Sequence, residues 1–215
     1  MRRFYAPVAS FTKDAVVLSE EETRHLRDVL RLRSGAEVYV IDGEGREFRC
    51  CIETVGKRTT DLKIIEAAAP TAPESPLDLT LAVAILKGDN FDLVVQKAVE
   101  LGVTRLVPLI TERCDVKVKD TRKKLERWNR IVLEASKQSG RARLMQIDVP
   151  TELTDVLADG TGTVIVFSEA SGDPFPKSLD TKITVVVGPA GGWGSDELDL
   201  ARSTGATIVT LGGRI

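Results

Sequence analysis

Histidine and cysteine are scarce in this chain of 215 residues, and their scarcity limits the chemistry that it can support. His25 is the one histidine, so a metal site built from several histidines is excluded, and a Ser-His-Asp triad would have to use His25. Cys50, Cys51 and Cys114 form no C-x-x-C pair and are odd in number. The usual signatures of a structural zinc site and of a disulfide framework are therefore missing, and we expect no metal.

Long apolar runs are missing too. No stretch approaches the roughly 20 apolar residues that cross a bilayer. The first residues, MRRFYAPVASF, lack the apolar segment of about 7–15 residues that a signal peptide carries. These absences predict a cytoplasmic protein that does not associate with membranes.

Basic and acidic residues are almost equal in number over the whole chain, but they are unevenly distributed along it. The formal net charge is −2, yet residues 113–143 contain eleven basic against four acidic residues, and residues 144–215 contain four against ten. A second basic segment, residues 24–33, has four arginines and one aspartate. Such segments are typical of a protein that binds a polyanion. The alternative is a solvated helix face without a partner.

Hydropathy patterning divides the chain into two domains. Residues 1–69 alternate short apolar strands with turns, interrupted by one helix that opens at Ser19, and this pattern predicts a small β-barrel. The segment 70–76 follows three alanines, is rich in proline and is predicted to be a linker. Residues 77–215 alternate apolar strands with amphipathic helices, one of them capped by Ser195, so we expect a parallel sheet covered by helices.

Two glycine-rich turns follow predicted strands in the second domain. VGPAGGWGS spans residues 187–195, and LGGR spans residues 211–214. In open α/β sheets, ligands bind beyond the carboxyl ends of the strands, so these turns predict a pocket for a nucleoside-type ligand. The alternative is that both are ordinary tight turns. The P-loop, the dinucleotide G-x-G-x-x-G fingerprint and the G-x-S-x-G elbow are all missing.

Polar residues in loops supply the remaining candidates. Arg113 follows a predicted strand and Arg141 follows the long predicted helix 121–139, so both could hold phosphates bidentately. Surface ion pairs are the alternative for both arginines. For His25, a partly buried structural role is favoured over an RNA contact.

Several sequence blocks together resemble one known family. In chain order they are RRFY (2–5), HLRDVLR (25–31), QKAVELGV (96–103), PLITERC (108–114), EASKQSGR (134–141), GPAGG (188–192) and LGGRI (211–215). Each block alone is weak, but their order and spacing are similar to those of the ribosomal RNA small subunit methyltransferase E family of the SPOUT superfamily. The resemblance spans nearly the whole chain.

The resemblance implies an N-terminal PUA-like β-barrel followed by a SPOUT α/β trefoil-knot domain, a homodimer, and S-adenosylmethionine as the methyl donor. The implied activity is methylation of N3 of a specific uridine in 16S ribosomal RNA near the decoding region of the small subunit. Positioning and stabilisation of the uridine anion would supply the catalysis, with Glu112, Glu169 or solvent as the proton acceptor.

The resemblance also implies which residues serve each role. Expected cofactor-binding residues are Phe167, Ser168, Val187, Gly188, Pro189, Gly191, Gly192, Leu211, Gly212, Arg214 and Ile215. Expected RNA-binding residues are Arg3, His25, Arg31, Arg33, Arg113 and Arg141. No catalytic residue is assigned, and the candidates are Arg113, Arg141 and Arg214.

Two departures from the family pattern stand out. Ala190 occupies the position of the glutamate in the family's GPEGG loop, so any role of that carboxylate is lost. The chain ends at Ile215, whereas relatives continue with an L-R-x-E-T-A segment and a final helix, which leaves the completeness of the knot open. We expect that a tail has been removed or is disordered without ligand; a chain that truly lacks it should bind cofactor weakly.

Two other functions stay open. An RNA-binding protein of SPOUT fold with weak or lost catalytic activity would account for Ala190 and for the missing tail. A nucleotide-dependent metabolic enzyme of α/β type would need no RNA, and its binding and activity would not depend on Arg113 or Arg141.

Overall fold

The computed structural model describes residues 2–114, 120–159, 162–170 and 172–211, which form two compact units. One unit contains residues up to 74 together with 133–144, and the other contains 75–132 and the residues from 145 onward. The end of the long helix predicted over residues 121–139 therefore belongs to the first unit. A division of the chain at a single linker does not predict this. Within the described part of the chain, no helix combines the length and apolarity needed to span a membrane.

The first unit is built on a five-stranded mixed sheet in the order β1-β3-β4-β5-β2. β1 and β3 are parallel, and the other neighbours are antiparallel. Alternating apolar side chains of these strands, such as Phe4, Val40 and Ile52, form a buried core on one face. The strands are β1 Arg3–Tyr5, β2 Ala15–Leu18, β3 Glu37–Ile41, β4 Glu47–Val55 and β5 Thr60–Ala68.

The helix of the first unit changes geometry partway along its length. α1 (Glu20–Arg24) begins as predicted at Ser19, whose hydroxyl accepts the N–H of Glu22 at 3.4 Å. A π-helical turn, His25–Val29, continues it directly. The wider turn was not predicted, because helical spacing of apolar residues does not distinguish the two windings over so few residues.

A buried ion pair between Lys137 and Glu22 ties residues 133–144 to the rest of the first unit. The Lys137 ammonium contacts Glu22 at 2.9 Å and Glu134 at 2.7 Å. Burial raises the pKa of the Glu22 carboxyl group. Burial acts to lower the pKa of the Lys137 ammonium, but the carboxylates of Glu22 and Glu134 outweigh it and raise that pKa. Lys137 therefore keeps its positive charge at neutral pH, opposite a carboxylate that is largely removed from water.

The second unit is the parallel α/β arrangement that the sequence predicted. Its strands follow the order β12-β10-β11-β6-β7-β8, every pair is parallel, and β9 also pairs with β7. The strands are β6 Asp78–Ala84, β7 Arg105–Ile110, β8 Gln146–Ile147, β9 Thr151–Glu152, β10 Thr163–Phe167, β11 Lys182–Val187 and β12 Thr207–Val209. The helices are α2 Asn90–Glu100, α3 Thr121–Ser139, α4 Leu153–Asp159 and α5 Ser195–Ser203, with α3 reaching into the first unit.

Two details of the second unit differ from the sequence predictions. Short elements β8, β9 and α4 were not predicted, because they are too brief to show a period. Ser195 is the first residue of α5 and not its cap, so that prediction is wrong. Gly194 is the N-cap, and its N–H donates to the carboxylate of Glu197 at 2.9 Å.

Candidate functional site

Strand register brings three strand ends of the second unit to the same level. Phe167, the last residue of β10, pairs with Val187 at the end of β11 and with Val209 at the end of β12. The loops that follow these strands enclose a cavity of about 340 Å³. The cavity is lined by Phe167, Ser168, Glu169, Val187, Gly188, Pro189, Gly192, Trp193, Thr210 and Leu211.

Trp193 forms one wall of this cavity and is held in place by the neighbouring strand end. Its indole N–H donates to the Phe167 carbonyl oxygen at 2.7 Å. A Cβ atom added at Gly188 would lie 2.7 Å from Cε2 of the indole. The indole therefore lies directly against Gly188. Gly188 is thus needed for close approach and not for a special backbone angle.

A methyl group at Gly188 should therefore open the pocket wall. In Gly188→Ala, the new Cβ must displace the indole and with it the hydrogen bond to Phe167, while the backbone conformation remains allowed. We expect a red shift of the Trp193 emission, read against a Trp128→Phe background, and at least a roughly tenfold weaker affinity for the ligand of the cavity, measured by calorimetry. An unchanged spectrum with unchanged affinity would contradict this packing.

Hydrogen bonds fix the glycine loop between β11 and α5. Gly192 has a φ of 72°, and its N–H donates to the Pro189 carbonyl at 2.9 Å. The Arg113 guanidinium donates to the Gly191 carbonyl at 3.1 Å. The carboxylate of Glu197 accepts the N–H of Glu112 at 3.0 Å as well as that of Gly194. The loop after β7 is therefore bonded to the middle of the glycine loop and to the first turn of α5.

The structure places most of the expected cofactor residues at the cavity. Phe167, Ser168, Val187, Gly188, Pro189, Gly192 and Leu211 line it. Gly191 does not line it; it turns its carbonyl toward Arg113 instead. Gly212, Arg214 and Ile215 lie outside the described residues, so the catalytic candidate Arg214 stays a prediction. Trp193 and Thr210 also line the cavity and were missed, although an aromatic residue within a glycine run is a signal for a pocket wall.

Arg141, which is expected to grip RNA phosphates, is engaged within the protein. Arg141 is only 3% exposed, and its guanidinium makes a bidentate pair with Glu74 at 2.8 and 3.2 Å. A buried arginine that already shares its donors with a carboxylate has no free face for a phosphate. The same burial withdraws the guanidinium from solvent, so the described geometry offers no support for Arg141 as a catalytic residue.

Arg3 is also engaged within the protein. Its side chain is 7% exposed and pairs with Glu47 at 2.7 Å, and it donates to the hydroxyl of Thr71. A phosphate contact of Arg3 would therefore have to compete with Glu47 and Thr71, and it stays a prediction. Thr71 and Glu74 belong to the predicted linker, and both are hydrogen-bonded within the first unit.

The other expected RNA-binding residues are accessible. Arg31 and Arg33 are exposed and, together with Arg27, line an open depression of about 510 Å³ in the first unit. His25 is half-buried, and its ring lies edge-on to that of Phe4 with 6.1 Å between the two ring centroids. Arg113 is exposed at the glycine loop. In the residues that the structure covers, no cluster of three or more metal-ligating side chains occurs.

Comparisons with known proteins agree on one family. Residues 73–215 match the model of an RNA methyltransferase domain, and residues 18–65 match that of an RNA methyltransferase PUA domain. The chain is 35% identical over 199 residues to ribosomal RNA small subunit methyltransferase E of Aquifex aeolicus, a match that covers 91% of this chain and 85% of that relative. It is 33% identical over 209 residues to the protein of the same name from Synechocystis, covering 93% and 67%.

A solved structure shows the same similarity in three dimensions. The crystal structure of a ribosomal RNA small subunit methyltransferase E from Neisseria gonorrhoeae bound to S-adenosyl methionine is 33% identical, with a TM-score of 0.91. The match covers 100% of this chain and 90% of that one.

Proposed function

Because this chain belongs to the ribosomal RNA small subunit methyltransferase E family, we propose that it methylates N3 of a uridine in 16S ribosomal RNA near the decoding region, with S-adenosylmethionine as donor. The chain combines a PUA-like first domain with a SPOUT-type second domain, as the sequence predicted. The observation that carries the proposal is the cavity at the ends of β10, β11 and β12, where loops with bare backbone meet. A homodimer in the cytoplasm, acting on the small subunit, is part of the proposal.

The residues of the cavity fit S-adenosylmethionine. The volume of about 340 Å³ lies within the range of roughly 300–1,000 Å³ that is usual for small-molecule sites. Phe167, Val187 and Trp193 offer apolar walls for a flat adenine ring, and Gly188 and Gly192 leave room that a Cβ would fill. When bound, the cofactor supplies an electrophilic methyl group on a sulfonium centre.

The protein would contribute positioning and charge at the reacting uridine. N3 of uridine must lose its proton before it can accept a methyl group, so an acceptor near the loop is useful. The carboxylate of Glu112 lies against Gly194, and that of Glu169 lies beside Gly192, so each is a candidate acceptor. Arg113 is exposed at the same loop and is the remaining catalytic candidate among the described residues.

RNA binding would use the exposed arginines. Arg31 and Arg33 are open to a phosphate backbone in the first unit, as is Arg113 in the second, and His25 borders a separate cavity of about 350 Å³ in the first unit. Because each phosphate contact releases counterions, RNA affinity should fall steeply with salt. Arg33→Ala should reduce the salt slope by about one unit.

Mass mapping of 16S ribosomal RNA tests the proposed reaction. RNA from a strain without the gene should lack one methylated uridine, and re-expression of this chain should restore the 3-methyl group on it.

Ala190 favours the alternative, an RNA-binding protein with weak or lost catalytic activity. Calorimetry with S-adenosylmethionine separates the two: absence of binding together with salt-dependent RNA binding would establish the alternative.

A further inference from the structure

Glu169 is the one charged side chain among the described residues that line the cavity. It follows β10 and is exposed. If Cβ were added to Gly192, that atom would be 3.1 Å from the Oε1 atom of Glu169, so the carboxylate lies against the glycine loop. The charge therefore sits where the strand ends meet and not at a distant rim.

Among the residues that the structure describes, the carboxylate of Glu169 has no partner. Within residues 2–114, 120–159, 162–170 and 172–211, it makes no hydrogen bond and no ion pair. Glu197, another carboxylate near the loop, differs in this respect because it accepts two backbone N–H groups. A carboxylate left unpaired beside an apolar pocket is available to a ligand.

The surroundings strengthen the effect of this charge. Phe167, Val187 and Trp193 are apolar walls, and Ala190 leaves the glycine loop without a carboxylate of its own. Where a bound ligand covers the carboxylate against these walls, Coulomb interactions are larger than in bulk water. The single negative charge therefore favours a ligand with a positive charge over a neutral ligand of the same shape.

We propose that Glu169 makes the cavity distinguish the positively charged sulfonium donor from its neutral thioether product, S-adenosylhomocysteine. This inference rests on the proposed function, because it assumes that the cavity holds the methyl donor. Loss of the methyl group removes the positive charge and with it the attraction to Glu169. Glu169 would thus favour donor binding and product release, which is a specificity role and not a chemical step.

Calorimetry with three ligands tests the inference. S-adenosylmethionine and sinefungin, which carries an amine in place of the sulfonium, should bind wild-type protein at least about tenfold more tightly than S-adenosylhomocysteine. In Glu169→Gln, both charged ligands should weaken about tenfold while the thioether changes less than about twofold. Glu169→Asp retains the charge and should keep most of the preference.

Controls separate charge from folding and from the proposed function itself. Glu152→Gln removes an exposed carboxylate that does not line the cavity and should leave all three affinities unchanged. Thermal unfolding of each variant checks that the fold is retained. An equal loss for all three ligands in Glu169→Gln, or no loss, would overturn the inference while leaving the proposed function intact. Failure of wild-type protein to bind any of them would overturn both.

Discussion

Substitution of Gly192 by valine should abolish binding of S-adenosylmethionine while leaving the protein folded. Gly192 has a φ of 72°, a conformation that costs a β-branched residue about 1–3 kcal/mol. Its Cβ would also lie 3.1 Å from the carboxylate of Glu169, within the cavity lining. The loop or the Glu169 side chain must therefore shift, and calorimetry should show an affinity loss of more than about 100-fold.

Gly205→Val provides the matched control for this substitution. Gly205 also has a positive φ, 83°, but a Cβ there would meet no atom within 4 Å, and the residue does not line the cavity. Gly205→Val therefore shares the backbone strain of Gly192→Val but not its steric effect at the pocket. Equal loss of affinity in both variants would show that general strain, not the pocket, explains the result; normal affinity in Gly192→Val would contradict the proposed site.

Arg141→Ala should lower the free energy of unfolding by about 3 kcal/mol without reducing the salt slope of RNA binding. The guanidinium is buried and makes two hydrogen bonds to Glu74, so its removal leaves a largely buried carboxylate without its partner. Urea unfolding of the wild type and the variant measures the first effect. RNA titrations at several salt concentrations measure the second.

The contrast with Arg33 makes this prediction sharp. Arg33→Ala changes an exposed arginine in the open depression, so its effect on unfolding should stay within about 0.5 kcal/mol while the salt slope falls. The opposite pattern, with Arg141→Ala stable and its salt slope reduced, would restore Arg141 as a phosphate contact.

Long periodic elements were predictable from sequence to within a few residues. The helix predicted over residues 121–139 is α3, Thr121–Ser139, because five turns of amphipathic spacing leave little ambiguity. The strand predicted before the glycine turn of residues 187–195 is β11, Lys182–Val187, because an apolar run between turns is typical of a buried strand. Short elements such as β8 and α4 carry no such period and were missed.

The amino-acid sequence by itself determined the glycine turns at strand ends, the parallel α/β character of the second domain and the family, because these depend on local sequence patterns. Burial separates Arg141 from Arg33, and this depends on which residues lie beside each arginine after folding. Neighbours 67 residues apart in sequence, Arg141 and Glu74, meet only in the folded chain. The same holds for the Trp193 indole over Gly188 and for the position of Glu169 beside the glycine loop, because packing and electrostatic environment are properties of the tertiary structure.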